Sequence, residues 1–132
     1  MTTSRSDKVA KQVIVMRKDL GMRKGKMVAQ GSHASLGAVL EIQKNDSFMS
    51  ADALKAFDSW IHGTFTKICV SVNSETELMQ VYKDAIQAKL PVKLITDAGH
   101  TEFHGVPTRT CLAIGPAWSE DIDKITGELP LL

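Results

Sequence analysis

The sequence predicts an α/β fold of three layers, α/β/α, with a four-stranded mixed sheet and elements in the order β-α-α-β-α-β-β-α. Three observations lead there. Four short runs rich in apolar and β-branched residues read as strands. Helix-period segments separate the first three, which favours a largely parallel sheet covered on both faces. The last two strands follow one another through a long loop, so an antiparallel or distant placement of one of them is expected and the sheet is mixed.

The elements follow in chain order. Residues 1–10 form a polar, flexible tail. Residues 12–16 make the first strand, carried by Val13, Ile14 and Val15. Residues 20–25 are a glycine-punctuated loop, and residues 25–44 are helical, with Val28, Leu36, Val39 and Ile42 on the face expected to be buried. Residues 51–62 form a second amphipathic helix with Leu54, Phe57 and Ile61 on one face; His62 finishes it, where a cation suits the helix end. Residues 65–72 are the second strand. Ser74 and Glu77 make a capping box that starts a third helix, whose core face carries Leu78, Tyr82, Ala85 and Ile86 and which Pro91 ends. Residues 92–96 and 110–114 are the last strands, with a glycine-containing loop over 97–108 between them. Ser119 caps a final helix with Glu120 and Asp121 in its first turn, and Gly127 ends it.

At 132 residues, 43% hydrophobic and 23% charged, the chain is expected to form one domain, 1–132, with one core. A net charge of +1 does not announce a nucleic-acid binder, but local charge steers polyanions more than the sum does. Arg17, Lys18, Arg23, Lys24 and Lys26 cluster with Asp19 as the one acid among them. Such a cluster reads either as a solvated turn or as a phosphate-facing loop. Cys69 and Cys111 sit in strand-like runs and read as buried thiols, at home in a reducing cytoplasm; their spacing supports no zinc site. No apolar run approaches the length of a membrane span, and the N-terminus lacks the apolar region of a signal peptide.

Two places hold candidate chemistry. At 100° per residue, with Lys26 at zero, Gln30, His33 and Gly37 fall at about 40°, 340° and 20°, a narrow stripe. A polar stripe is ordinary on a surface helix, but lysine, glutamine, histidine and a bare glycine differ from the usual Glu–Lys decoration and look shaped for a ligand. The second place is Asp97, directly after a strand. In open α/β sheets ligands bind beyond the carboxyl ends of strands. The competing reading is a turn aspartate that accepts its own backbone N–H groups.

These residues carry a family resemblance. Residues 17–34, Arg-Lys-Asp-Leu-Gly-Met-Arg-Lys-Gly-Lys-Met-Val-Ala-Gln-Gly-Ser-His-Ala, resemble the N-terminal signature of the archaeal- and eukaryotic-type peptidyl-tRNA hydrolases. Asp97-Ala98-Gly99-His100-Thr101 and the run from Thr110 to Pro116 resemble the second signature and the strand after it. The resemblance extends over about residues 11–132. Departures are His100, where the family usually has a basic residue, Gly31 in place of a common cysteine, and residues 102–107, which replace a Pro-Pro-Gly turn and leave both Thr108 and Thr110 as candidates.

The resemblance implies a cytosolic homodimer that cuts the ester between a peptide and tRNA without metal or organic cofactor. By position it implicates Lys26, Gln30, His33, Asp97 and Thr101, with Thr110 at the edge of the site. No Ser-His-Asp or Cys-His arrangement is evident, so direct attack by water is favoured over an acyl-enzyme. Either Asp97 or His33 is suited to deprotonate that water, and Lys26 to stabilise the oxyanion or hold the terminal phosphate. Gln30, Thr101 and Thr110 would orient substrate, and Arg23 and Lys24 would meet acceptor-stem phosphates. The alternative is a non-catalytic RNA- or protein-binding module on the same fold.

Overall fold

The computed structural model describes residues 8–99 and 103–132. The elements are β1 (Ala10–Arg17), α1 (Lys24–Lys44), a short 3-10 turn (Asp46–Phe48), α2 (Ala51–Ile61), β2 (Lys67–Val72), α3 (Glu75–Gln87), β3 (Val92–Asp97), β4 (Thr108–Trp118) and α4 (Ser119–Thr126). Apart from the 3-10 turn this is the expected order. The four strands form one sheet in the order β2-β1-β4-β3. β1 and β2 are parallel, and β4 runs antiparallel to both β1 and β3. The mixed sheet thus places the returning strand β4 in the gap between β1 and β3, with α3 crossing from one sheet edge to the other.

Alternation along the strands sorts the core into two layers. Val13, Val15, Leu112 and Ile114 face α3 and α4, packing with Leu78, Val81, Ala85 and Ile122. Ile14, Met16, Cys111 and Ala113 face α1, packing with Met22, Ala34 and Ala38. A smaller cluster of Ala10, Ala56, Trp60 and Trp118 seats α2 on the same side as α1.

Several local expectations change. β1 begins at Ala10, which is buried, so the sheet takes the last residue of the expected tail. The third helix buries Val81 rather than Ile86, which is 53% exposed. Ser74 caps it as expected, its hydroxyl accepting the Glu77 N–H, but the return bond of the capping box falls one residue earlier: the Glu77 carboxylate accepts the N–H of Asn73. Ser119 does not cap α4; Trp118 occupies that position without a side-chain bond, because β4 continues through Trp118 straight into the helix. Cys69 is exposed rather than buried, whereas Cys111 is buried.

The largest change concerns α1. Of the expected core face of Val28, Leu36, Val39 and Ile42, only Ile42 is buried; Val28 is 70% and Leu36 60% exposed, and Val39 packs only at the edge of the α2 cluster. The helix lies on the sheet through Gln30, Gly31, Ala34, Ala38 and Ile42. Small side chains let the helix come close to the strands. Methyl groups of Met16 and Ile14 lie 3.7 and 3.8 Å from where a Cβ on Gly31 would stand. That close seating brings the polar stripe of α1 over the end of β3.

Candidate active site

α1 and β3 supply the centre of the site. The Lys26 ammonium donates to Asp97 Oδ1 at 2.9 Å, and each side chain is 14% exposed. Gln30, one turn after Lys26, donates from Nε2 to the same oxygen at 3.2 Å. The other carboxylate oxygen, Oδ2, accepts the Gly99 N–H at 2.8 Å. The two readings of Asp97 are therefore both realised, on separate oxygens: Oδ2 closes a turn and Oδ1 meets the helix. Gly99 is required there. Its φ is +86°, and a Cβ would lie 2.4 Å from the Val106 carbonyl oxygen.

Gln30 is held from behind. The Thr110 hydroxyl donates to Gln30 Oε1 at 2.5 Å, and the Cys111 thiol reaches the Gln30 carbonyl at 3.3 Å. Consecutive strand residues should point to opposite faces. Thr110 and Cys111 both point at α1 because the β3–β4 register shifts there: Ile95 pairs with Cys111 but Thr96 pairs with Arg109, leaving Thr110 as the extra residue. Gln30 and Thr110 are 3% and 0% exposed, so they lie behind the Lys26–Asp97 pair rather than beside it at the surface.

The electrostatics follow from these contacts. The hydrogen bond from Lys26 holds the Asp97 carboxyl below the usual aspartate range, with burial opposing and the Gly99 N–H and Gln30 amide assisting. Asp97 is thus an anion at neutral pH and a weakened base. Burial pushes the Cys111 thiol up to about 11, so it remains protonated and is no nucleophile. Phe103 packs against the α1-side core, and the Lys26 ammonium stands 5.8 Å from its ring centroid.

The remaining expected residues are placed differently. His33 is on α1 beyond Gln30 and is exposed, with no hydrogen bond among the described residues drawing it into the Lys26–Asp97 network. Arg23 and Lys24 are exposed at the start of α1. Thr108 starts β4 and bonds to the Val106 carbonyl. Thr101 and His100 lie outside the described residues. Arg17, one of the basic cluster, is buried: it donates twice to the Asp19 carboxylate, at 3.1 and 2.6 Å, and once to the Arg109 carbonyl at 3.0 Å. It braces the loop before α1. An Arg-x-Asp spacing at a strand end is the sequence signal for that role. The buried Gln12, bonded to the Ser35 and Gly115 carbonyls, is a second brace, and no local pattern marks it.

A lysine–carboxylate pair at the carboxyl end of a strand, backed by a buried amide and hydroxyl, defines a polar α/β site suited to stabilising a developing oxyanion. The family described as Peptidyl-tRNA hydrolase PTH2 matches residues 10–132, and the chain belongs to that family. Relatives named peptidyl-tRNA hydrolase include that of Methanocaldococcus jannaschii, 47% identical over 122 residues, which is 92% of this chain and 99% of the relative. That of Methanothermobacter thermautotrophicus is 43% identical over 92% of this chain and 99% of its own length. That of Thermococcus onnurineus is 41% identical over 92% and 97%.

Proposed function

We propose that this chain hydrolyses the ester between a peptide, or an N-blocked aminoacyl group, and the 3′ end of tRNA, and that Lys26 and Asp97 form the centre where the bond is cut. One observation carries the site assignment: the 2.9 Å ion pair that joins the first turn of α1 to the end of β3.

Water adds to the ester carbonyl, and charge develops on the carbonyl oxygen. Lys26 stabilises that oxyanion, and Asp97 holds the ammonium in place. Losing one strong donor at such a position typically costs about 10²–10³ in turnover. The proton of the attacking water goes to His33. Asp97 is the weaker choice of base because both its oxygens accept hydrogen bonds and its carboxyl is held below the usual range. When the carbon–oxygen bond breaks, the peptide leaves as a carboxylic acid and the proton passes to the 3′ oxygen of tRNA. Gln30 and Thr110 are positioning residues: they aim Oδ1 of Asp97 from behind. Thr101 is assigned to substrate by its place in the family motif.

The start of α1 suits the phosphates of the tRNA end. Its first turn contains no acidic residue and follows Arg23 as cap, although acids stabilise a helix start and cations do not. Placing Lys24 and Lys26 there runs against helix stability and suits an anion at the positive helix end.

Two further assignments belong to this reading. The chain works in the cytoplasm, where its two free cysteines stay reduced. It also pairs as a homodimer through the outward stripe of α1. Val28, Leu36, Phe65 and Leu132 line an open groove of about 740 Å³, and exposed apolar patches of this kind mark association surfaces.

The test is release of labelled N-acetylaminoacyl-tRNA, with free aminoacyl-tRNA as control, by the wild-type protein and by His33→Ala. Blocked substrate should be released and His33→Ala should be slowed about 10²-fold or more. Binding of both tRNAs without release of either would replace the enzyme with the binding module.

A further inference from the structure

Asp97 is the last residue of β3, and β3 is an outer strand of the sheet. The opposite outer strand is covered. Ser71 N–H of β2 donates to the Pro130 carbonyl, Leu132 N–H donates to the Cys69 carbonyl, and Val70 bridges Leu131. The chain's own last residues blunt that edge, as folded sheets commonly require. Among the described residues, β3 has no such cover on its outer side.

The groups that face outward follow from the ladder. Gly115 N–H donates to the Pro91 carbonyl at 2.8 Å, and Val92 pairs with Ile114. That bond makes Val92–Ile114 a pair without mutual hydrogen bonds and Lys93–Ala113 a bonded one. Alternation then turns the main-chain N–H and C=O of Val92 and Leu94 away from β4. A groove of about 710 Å³ follows this edge, with Glu41 and Asn45 of the α1 end on one rim and Tyr82 and Ile86 of α3 on the other.

We propose that the open edge of β3 is the subsite for the peptide part of the substrate, which adds as a fifth strand parallel to β3. This rests on the reading of Lys26 and Asp97 as the place where the ester is cut. The ester carbonyl belongs to the C-terminal residue of the peptide. With that residue at Asp97, the preceding residues run back along β3 towards Val92, so peptide and strand share one direction. From Val92 to Asp97 the strand spans about 16 Å at roughly 3.3 Å per residue, room for about five peptide residues. A peptidyl group carries any sequence, so affinity has to come from what all peptides share. A sheet edge reads main-chain groups and leaves side chains to project alternately to either rim. The groove is lined by β3 as far as Leu94, and the same strand runs on through Ile95 and Thr96 to the site carboxylate Asp97.

The experiment uses wild-type protein and tRNAs carrying N-acetylated oligoalanines of one to seven residues, together with a five-residue set in which one residue at a time is N-methylated. KM should fall with length and level off near five residues. N-methylation should raise KM roughly three- to tenfold, the size of one net hydrogen bond, at every second position and leave the alternate positions unchanged. A KM independent of both length and N-methyl position, with N-acetylalanyl-tRNA still hydrolysed, overturns the peptide subsite and leaves the hydrolase reading standing. If a second copy of this chain occupies the edge instead, the substrate effects vanish and amide exchange at Val92 and Leu94 slows with protein concentration, which also overturns the proposal. Hydrolysis of none of these tRNAs overturns both readings together.

Discussion

Gln30 and Thr110 stand 80 positions apart and meet in a buried hydrogen bond of 2.5 Å. Because the hydroxyl occupies Oε1, the amide nitrogen must face Asp97. A threonine with no place at the surface thereby decides which way a site carboxylate is held.

Gln30→Leu should therefore damage the protein twice. It leaves the Thr110 hydroxyl buried without its acceptor, costing about 1–3 kcal/mol in a denaturant melt. It also removes a donor from Asp97 and should lower kcat. Adding Thr110→Val removes the stranded hydroxyl, so stability should recover while kcat stays low. Recovery of both would make the pair a packing feature only.

Asp97→Asn should lose at least about 10²-fold in turnover at saturating substrate. Asparagine still satisfies the Gly99 N–H through its oxygen but turns an NH₂ towards Lys26 and Gln30. A folded variant with near-normal turnover would remove Asp97 from the site.

The same variant gives a pH test. The carboxyl of Asp97 is lowered in the folded state, first by the hydrogen bond from Lys26. A lowered folded value means stabilisation that is present above the unfolded value of about 3.9 and is lost as pH falls through the folded one. Wild type should thus exceed Asp97→Asn in stability by a constant amount above about pH 5, and the gap should close in acid. A gap that does not narrow as the pH falls below the unfolded value would contradict the ion pair as its source.

Salt should separate the basic residues. Neutralising Arg23 and Lys24 together should raise KM and reduce the slope of log affinity against log salt by about 0.7–0.9 for each phosphate that they would otherwise neutralise. Arg17→Ala should act differently. It releases Asp19 and the Arg109 carbonyl, so its effect belongs in the melting curve.

The outward stripe of α1 gives the last expectation. Val28→Asp with Leu36→Asp should leave the fold intact, since both side chains are mostly exposed, and shift sedimentation to the monomer. A dimer that survives the double change uses another surface.

The order of elements, the helix cap at Ser74 and the helical spacing of Lys26 and Gln30 are legible in the sequence, and Asp97 is legible as a strand-end carboxylate. Each of these is written within a few residues of chain, where period and propensity act. Which face of α1 is buried is not legible. Hydrophobicity along the helix marks Val28 and Leu36, but contact with the sheet selects Gly31, Ala34 and Ala38, whose small side chains permit close approach. Nor is the partner of Gln30 legible. Thr110 reaches it only because the register between β3 and β4 shifts by one residue, and register is a property of two strands together. The same holds for the convergence of Lys26 on Asp97, 71 positions away. Local sequence determined what each segment is, and only the packing of segments determined which oxygen meets which donor.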